Sequence, residues 1–582
     1  MIKKLCILLS LVMALSLFGA CSSSDNSDNI SSDISSDSNE EQIDEFEDTI
    51  EENTSDDFDD EYYDEYEEEF EDFFDDFYSG DEEKVINKLH VYNNEKPLTT
   101  RYGGMSGTVW HAYGFMKDDK TGRVYTDKMM NTELERLQTA GMHYCRTRYA
   151  SEWVWDPITD NYNFSSNRFG YFCDYAKALQ DRDINVLLQV GWHFGFVSWI
   201  NSHNIEEVEY LNGTGEDKFG ESTGYNFSNL SSEDVRITKA ARRFGYFYAE
   251  TLRNLRARGI NNISHLVYMT EPANGFQGAP VGAENEAYVL FSRAFKQKLT
   301  EENLAHTVKH MGPNETSTTG DHLFKYVVDN APDLFDVYTV HNYPVVNDTL
   351  NDTLYDVYGL TLDSFVGHAK KAGILGKKEF WLDEYDVSYP DKGKGRNNAW
   401  EGLQNVYGNL IAQQKGVETT VFWQLIDQLW TDSTSTNREF EDGIHVTGDI
   451  PSLFVSATPY DQYYATGLFS RYNGYKNGKS YRTSLVDDAM MYDGVYIGAV
   501  QLEDGNWTIT VVNLNIDEAY LDISLDKALN KTMFRHVFDS AKNVADPSAR
   551  LADVDKYFVN VKNKIFDTIP GGSVVVYTSL EY

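Results

Sequence analysis

Between about residue 100 and residue 470, short apolar runs alternate with amphipathic stretches, and this constrains the fold more than any other feature of the chain. The runs are Thr108–Trp110, Met142–Thr147, Ile184–Val190, Leu266–Thr270, Thr307–Met311, Phe335–Val340, Phe380–Asp383 and Thr419–Gln424. All but the three-residue Thr108–Trp110 have the length of a strand buried on both faces. Between them lie stretches with helical spacing, among them Asp127–Ala140, Phe169–Gln180, Asp234–Arg258, Glu286–Leu299 and Ala399–Gln414. Eight strands alternating with helices predict an α/β fold, the (β/α)8 or TIM barrel. The spacing of strand ends is even except for one long interval, which holds a polar, glycine-containing insertion near 201–230, expected to wall a cleft.

The flanks differ from this core. After about residue 470 the runs shorten and alternate with period two: Val495–Leu502, Trp507–Leu514, Tyr520–Leu525, Phe534–Phe538, Tyr557–Val561 and Ser573–Ser579. Asp504-Gly505-Asn506 between the first two is a hairpin signal, and the set predicts an antiparallel β-sandwich over 471–582. The barrel then spans 84–470, with 84–96 a candidate extra strand of the sandwich. Residues 22–83 hold 29 Asp or Glu and no Lys or Arg, so most of the net charge of −43 sits there. Such a segment cannot bury enough apolar surface to offset its ordering entropy, and 21–83 is expected to be a disordered acidic tether. Its aromatics, among them Phe58, Tyr62, Tyr63 and Phe70, are more than a plain spacer needs. The remainder, 84–582, has 64 acids against 48 bases and offers no basic surface for phosphate, so no nucleic-acid partner is expected.

The first twenty residues read as an export signal: Lys3 and Lys4, then an apolar core from Leu5 to Phe18 too short to span a membrane comfortably. Leu17-Phe18-Gly19-Ala20-Cys21 is similar to a bacterial lipobox, although Phe18 stands where an aliphatic residue is usual. It implies a lipid on Cys21 and a protein anchored at the outer face of a bacterial membrane. Cys145 and Cys173 are expected as buried thiols, a disulfide being the alternative. No cysteine–histidine group has metal-ligand spacing, and no cofactor is called for.

Two acids end predicted strands: Glu271 in Val267-Tyr268-Met269-Thr270-Glu271-Pro272 and Glu384 in Trp381-Leu382-Asp383-Glu384-Tyr385. A carboxylate at the C-terminal end of a barrel strand reads as catalytic. These two fall on the fourth and seventh strands, which face each other across a barrel mouth. Two facing carboxyls are what a retaining glycosidase uses as acid/base and nucleophile.

The chain resembles glycoside hydrolase clan A over about residues 85–580, with families 39, 30 and 51 nearer than family 5. Thr270-Glu271-Pro272 stands where that clan has its acid/base, and Glu384 where it has its nucleophile. The resemblance implies that Arg146 lies beside the nucleophile, with Arg148 the alternative. It implies that the His341-Asn342-Tyr343 element brings a tyrosine onto the nucleophile. It further implies that Trp423 floors the subsite before the cleaved bond. Trp192 and His193, after strand three, are expected to line subsites, since flat rings match the apolar faces of sugars. One departure stands out: Thr270 replaces the usual asparagine, which contacts the sugar 2-hydroxyl.

The expected activity is retaining hydrolysis of β-linked glycans, by a monomer that takes a polysaccharide or oligosaccharide and needs no metal. The alternative is a decayed barrel that binds glycan without turnover. A solute-binding lipoprotein would need two lobes and a hinge, which the predicted sandwich argues against.

Overall fold

In a computed structural model of the chain, the described residues are 85–109, 127–149, 154–156, 161–190, 235–272, 283–316, 321–343, 352–386, 399–425, 458–474, 477–484, 494–543 and 550–581, with a few isolated residues between and beyond these segments. The signal, Cys21, the acidic segment, Trp110, Trp192, His193 and the 201–230 insertion lie outside them.

Two strands, β1 (Ile86–Val91) and β2 (Thr99–Tyr102), precede the barrel. The barrel strands are β3 (Gly104–Val109), β4 (Tyr144–Tyr149), β5 (Asn185–Val190), β6 (Ile263–Val267), β7 (Lys309–Thr316), β8 (Val337–Asn342), β9 (Glu379–Tyr385) and β10 (Thr419–Phe422). They form one closed sheet in chain order, each pair parallel. This is the expected barrel, with shifted boundaries: the first strand begins at Gly104 rather than Thr108, and the fifth runs on to Thr316. The intervening helices are α1 (Asp127–Thr139), α2 (Asn167–Gln180), α3 (Val235–Ala257), α4 (Ala283–Glu301), α5 (His322–Asn330), α6 (Asp352–Lys371) and α7 (Ala399–Gln414). In α2, Ser166 caps the first turn by accepting from the Phe169 N–H at 3.2 Å, and Phe169, Phe172, Cys173, Ala176 and Leu179 form the buried stripe. Cys145 and Cys173 are both buried thiols, and neither is in a disulfide.

Inside the barrel, Leu187, Val267, Met311, Val337, Trp381 and Val421 make a separate apolar floor, with Tyr144 packed against it.

Helix α8 (Asp461–Asn473) leads to the strands β11 (Gly478–Tyr481), β12 (Val495–Gln501), β13 (Trp507–Asn513), β14 (Ala519–Leu525), β15 (Lys531–Asp539), β16 (Val554–Val561), β17 (Lys564–Ile569) and β18 (Ser573–Thr578). They build a seven-stranded sheet in the order β2-β11-β12-β13-β18-β15-β16 and a three-stranded sheet β1-β14-β17. All pairs are antiparallel except β1 with β14. The two sheets share one core, to which Ile509, Val511 and Val575 of the large sheet and Leu521, Ile523 and Ile565 of the small one contribute. The opposite face of the large sheet, with Val512, Val574 and Val576, joins the main core beside Tyr407 of α7 and Tyr472 of α8. Both faces of β13 and β18 are therefore covered, and every residue of the two strands is buried. β14, with one face to solvent, alternates buried and half-buried along its whole length.

Candidate active site

The strand ends converge at the C-terminal mouth of the barrel. β4 brings Arg146, β5 Gln189, the segment after β6 Thr270 and Glu271, β7 Asn314, β8 His341 with Tyr343 just beyond, and β9 Asp383 and Glu384. Of the residues singled out from sequence, the structure thus gathers Arg146, Thr270, Glu271, His341, Tyr343 and Glu384. Trp423 is buried at the end of β10, its backbone N–H donating to the Tyr385 carbonyl at 3.0 Å. The Trp423–Gln424 peptide is cis, as is Gly312–Pro313 on β7. The side chain of Arg148 is not among those described.

Glu384 is engaged from three sides. Arg146 Nη1 lies 2.6 Å from its Oε1, the Tyr343 hydroxyl donates to its Oε2 at 2.8 Å, and His341 Nδ1 is 3.2 Å from the same Oε2. His341 Nδ1 also faces Glu271 Oε1 at 3.3 Å, so one imidazole nitrogen bridges the two acids. Its other nitrogen is 3.6 Å from Asp383 Oδ1. Burial by itself would strip the His341 proton. The carboxylates of Glu384 and Asp383 outweigh that and push it up to about 10, so the ring is an imidazolium at neutral pH. Burial raises Glu384 from its ordinary value, against the opposing pull of His341 and Arg146. Burial and the charge of Glu384 hold the Tyr343 phenol well above its ordinary value, so it stays a donor. Three carboxyls, one guanidinium and one imidazolium share the mouth.

Local backbone irregularities aim these groups. β9 pairs with β8 through Val340–Leu382 and then His341–Glu384, which leaves Asp383 as an extra residue. β7 pairs with β8 through Thr339–Pro313 and then Val340–Glu315, which leaves Asn314 extra. Strict alternation would send Asp383 and Glu384 to opposite faces; the bulge lets both be buried beside His341. The two extra residues bond each other, Asn314 Nδ2 donating to Asp383 Oδ2. Asn314 has φ +59°, donates its N–H to Thr339 Oγ1 at 3.2 Å, and accepts the Glu271 N–H on its carbonyl at 3.1 Å. Glu271 itself has φ +47°, a conformation that costs a non-glycine residue on the order of 1–3 kcal/mol and persists where its surroundings over-determine it.

Thr270 is buried beneath this layer. Its Oγ1 accepts from Arg146 Nη2 at 3.0 Å and from Gln189 Nε2. Sequence reasoning missed Gln189, Asn314 and Asp383. Asn314 had a faint signal, since asparagine in Gly312-Pro313-Asn314 tolerates a left-handed turn; Gln189 had none.

Glu271, His341 and Glu384 also present ligand atoms within 4.8 Å of one another, a spacing that could hold a metal ion. A metal ion there would have to displace the His341 proton and sit against the positive charge that Arg146 already brings to Glu384.

No protein-family model and no curated protein matches the sequence. Solved structures do. A family 30 endoxylanase from Clostridium papyrosolvens is similar at 13% identity and TM-score 0.54, over 85% of this chain and all of the other. A family 39 enzyme from Xanthomonas axonopodis gives 12% and 0.52, over 85% of this chain and 98% of its own. An endo-β1,6-glucanase gives 13% and 0.52, over 86% and 96%. The chain has the fold of the clan A glycoside hydrolases, a parallel eight-stranded barrel carrying additional antiparallel sheets.

Proposed function

We propose that the protein is a retaining glycoside hydrolase acting on β-linked glycans. The observation that carries this is the proximity of two carboxyls at the barrel mouth: an oxygen of Glu271 and an oxygen of Glu384 lie within 4.8 Å of each other. Retention calls for carboxyls roughly 5–5.5 Å apart, whereas inversion needs about 6.5–9.5 Å to admit a water. The roles follow from the surroundings. Glu384, steadied by Arg146 and Tyr343, attacks the anomeric carbon and forms the glycosyl-enzyme bond as the leaving oxygen departs. Glu271, with one flank toward His341, gives its proton to that oxygen. It then takes a proton from the water that attacks the same carbon and releases Glu384. His341 holds the two carboxyls together as a cation, and Trp423, Trp192 and His193 line the sugar subsites. The fold neighbours act on xylan and β1,6-glucan by their descriptions, so the barrel alone does not select a glycan.

The enzyme is proposed to sit at the outer face of a bacterial membrane, held by a lipid on Cys21 and spaced by the acidic segment, as a monomer. The test is release of reducing ends from a panel of β-linked glycans by residues 84–582, with Glu384→Gln alongside. Release that disappears in the variant supports the reading. Binding without release, unaltered by the substitution, would sink it in favour of a glycan-binding barrel.

A further inference from the structure

Gln189 joins the two strand ends that carry the charge of the mouth. Its side chain is 1% exposed at the end of β5. Its Oε1 accepts from Arg146 Nε at 3.1 Å and from Arg146 Nη2 at 2.9 Å. Arginine has donors only, so the amide oxygen must face it. The amide nitrogen is then turned to Thr270, donating to Oγ1. Arg146 Nη2 reaches that hydroxyl too, at 3.0 Å. One edge of the guanidinium is thereby occupied, and Nη1 is left facing the Asp383 carbonyl at 2.9 Å and Glu384 Oε1 at 2.6 Å.

A competing acceptor stands nearby. The Asp383 carboxylate is 3.6 Å from the same Nη1 and is fully buried. A guanidinium free to turn would choose between two buried acids, and its fork geometry makes that choice depend on what holds the opposite edge. We propose that Gln189 is a positioning residue which, together with Thr270, directs the Arg146 guanidinium to Glu384 rather than Asp383 and so sets the ionisation of Glu384. Removing the carboxamide leaves two buried N–H groups without an acceptor, and the guanidinium rotates to satisfy them. Nη1 then leaves Glu384, whose proton is held more tightly. The kinetic consequence rests on the glycosidase reading; the geometric one does not.

The test uses Gln189→Met, similar in length and without polar atoms, Thr270→Val, and the double variant, in the full chain. For Gln189→Met, kcat should fall about 10–100-fold with KM within about threefold, and the acidic limb of kcat/KM should move up by about one pH unit. Thr270→Val should act in the same direction by less. The double variant should lose less than the product of the two, because both act through Arg146. A purely structural role would lower Tm and leave the acidic limb in place, which overturns the proposal. If the wild type releases sugar from no glycan, the glycosidase reading fails and a crystal structure of Gln189→Met decides this one. Arg146 Nη1 beyond about 4 Å from Glu384 upholds it, and an unmoved ion pair refutes it. Should Gln189→Met not fold, Thr270→Val is judged by the same limb and the same distance.

Discussion

On four strands the floor and the mouth of the barrel differ by one step of two residues. On β4 the step leads from Tyr144 to Arg146, on β5 from Leu187 to Gln189, on β9 from Trp381 to Asp383, and on β10 from Val421 to Trp423. The period of a strand puts both members of each pair on the barrel interior, one layer above the other. Below, the layer is filled by apolar side chains that need only shape to be satisfied. Above, it holds buried charges, each of which costs several kcal/mol to desolvate unless paired. The lower layer therefore contributes stability. The upper one spends some of it on holding Glu271, Asp383 and Glu384 together under Arg146 and His341.

This contrast can be broken at several points. The largest effect is expected for Glu271→Gln, which should lower kcat on an unactivated glycan by about 10²–10⁴-fold while leaving Tm within a few degrees. An aryl glycoside with an acidic leaving group should recover most of the loss in its first step; no recovery would remove Glu271 from the acid role. Trp381→Ala is the opposite case. Emptying the floor should cost about 3–5 kcal/mol, read as a lower denaturation midpoint, with kcat largely kept at low temperature. A variant that keeps its stability would show that the floor is not where the barrel is held.

Asn314→Gly tests the bulge pair. Glycine keeps the left-handed backbone and loses only the amide to Asp383, so kcat should fall by roughly tenfold with little change in Tm. An equal loss in Tm and activity would make Asn314 a packing residue. The His341 charge makes a prediction in pH. Its folded value of about 10 lies above the ordinary 6.5, so its contribution is complete below about pH 6.5 and is lost as pH rises through about 10. The gap in Tm between wild type and His341→Gln should narrow across that window, and a gap independent of pH would mean that the ring is neutral.

The smallest effect is expected at Glu315, just above Asn314. Its carboxyl accepts the Leu323 N–H at 3.2 Å and the Phe324 N–H at the start of α5, yet burial pushes it up to about 8 from 4.5. A raised acid favours the folded state when protonated, so that advantage is whole below about pH 4.5 and lost as pH rises through about 8. Glu315→Gln should gain a degree or two of Tm over wild type at pH 8.5 and nothing at pH 4.5. A gain at both values would point to packing instead of ionisation.

The barrel was legible because its signal is repetitive. Eight buried runs and their helices survive errors of several residues at any boundary, and the first and fifth strands were indeed misplaced by about that much. The sandwich was legible as strands. The middle of its large sheet, however, is not half-exposed: β13 and β18 carry apolar residues on both faces, one of which lies against α7 and α8. A strand sequence alone cannot say what covers its second face.

At the mouth, the amino-acid sequence by itself determined which strands end in acids, and hence that Glu271 and Glu384 would face each other, because strand order in a closed parallel barrel follows chain order. It also marked Arg146, His341 and Tyr343 through the resemblance of their short motifs. Only the tertiary structure decided that Asp383 joins Glu384 in the interior, that Asn314 ties the two bulges together, and that Gln189 and Thr270 hold one guanidinium from the side. The reason is physical. Period and order are properties of the chain and can be counted along it. A bulge, or a hydrogen bond across three strands, depends on the register in which separate segments meet, and no local run of residues encodes that.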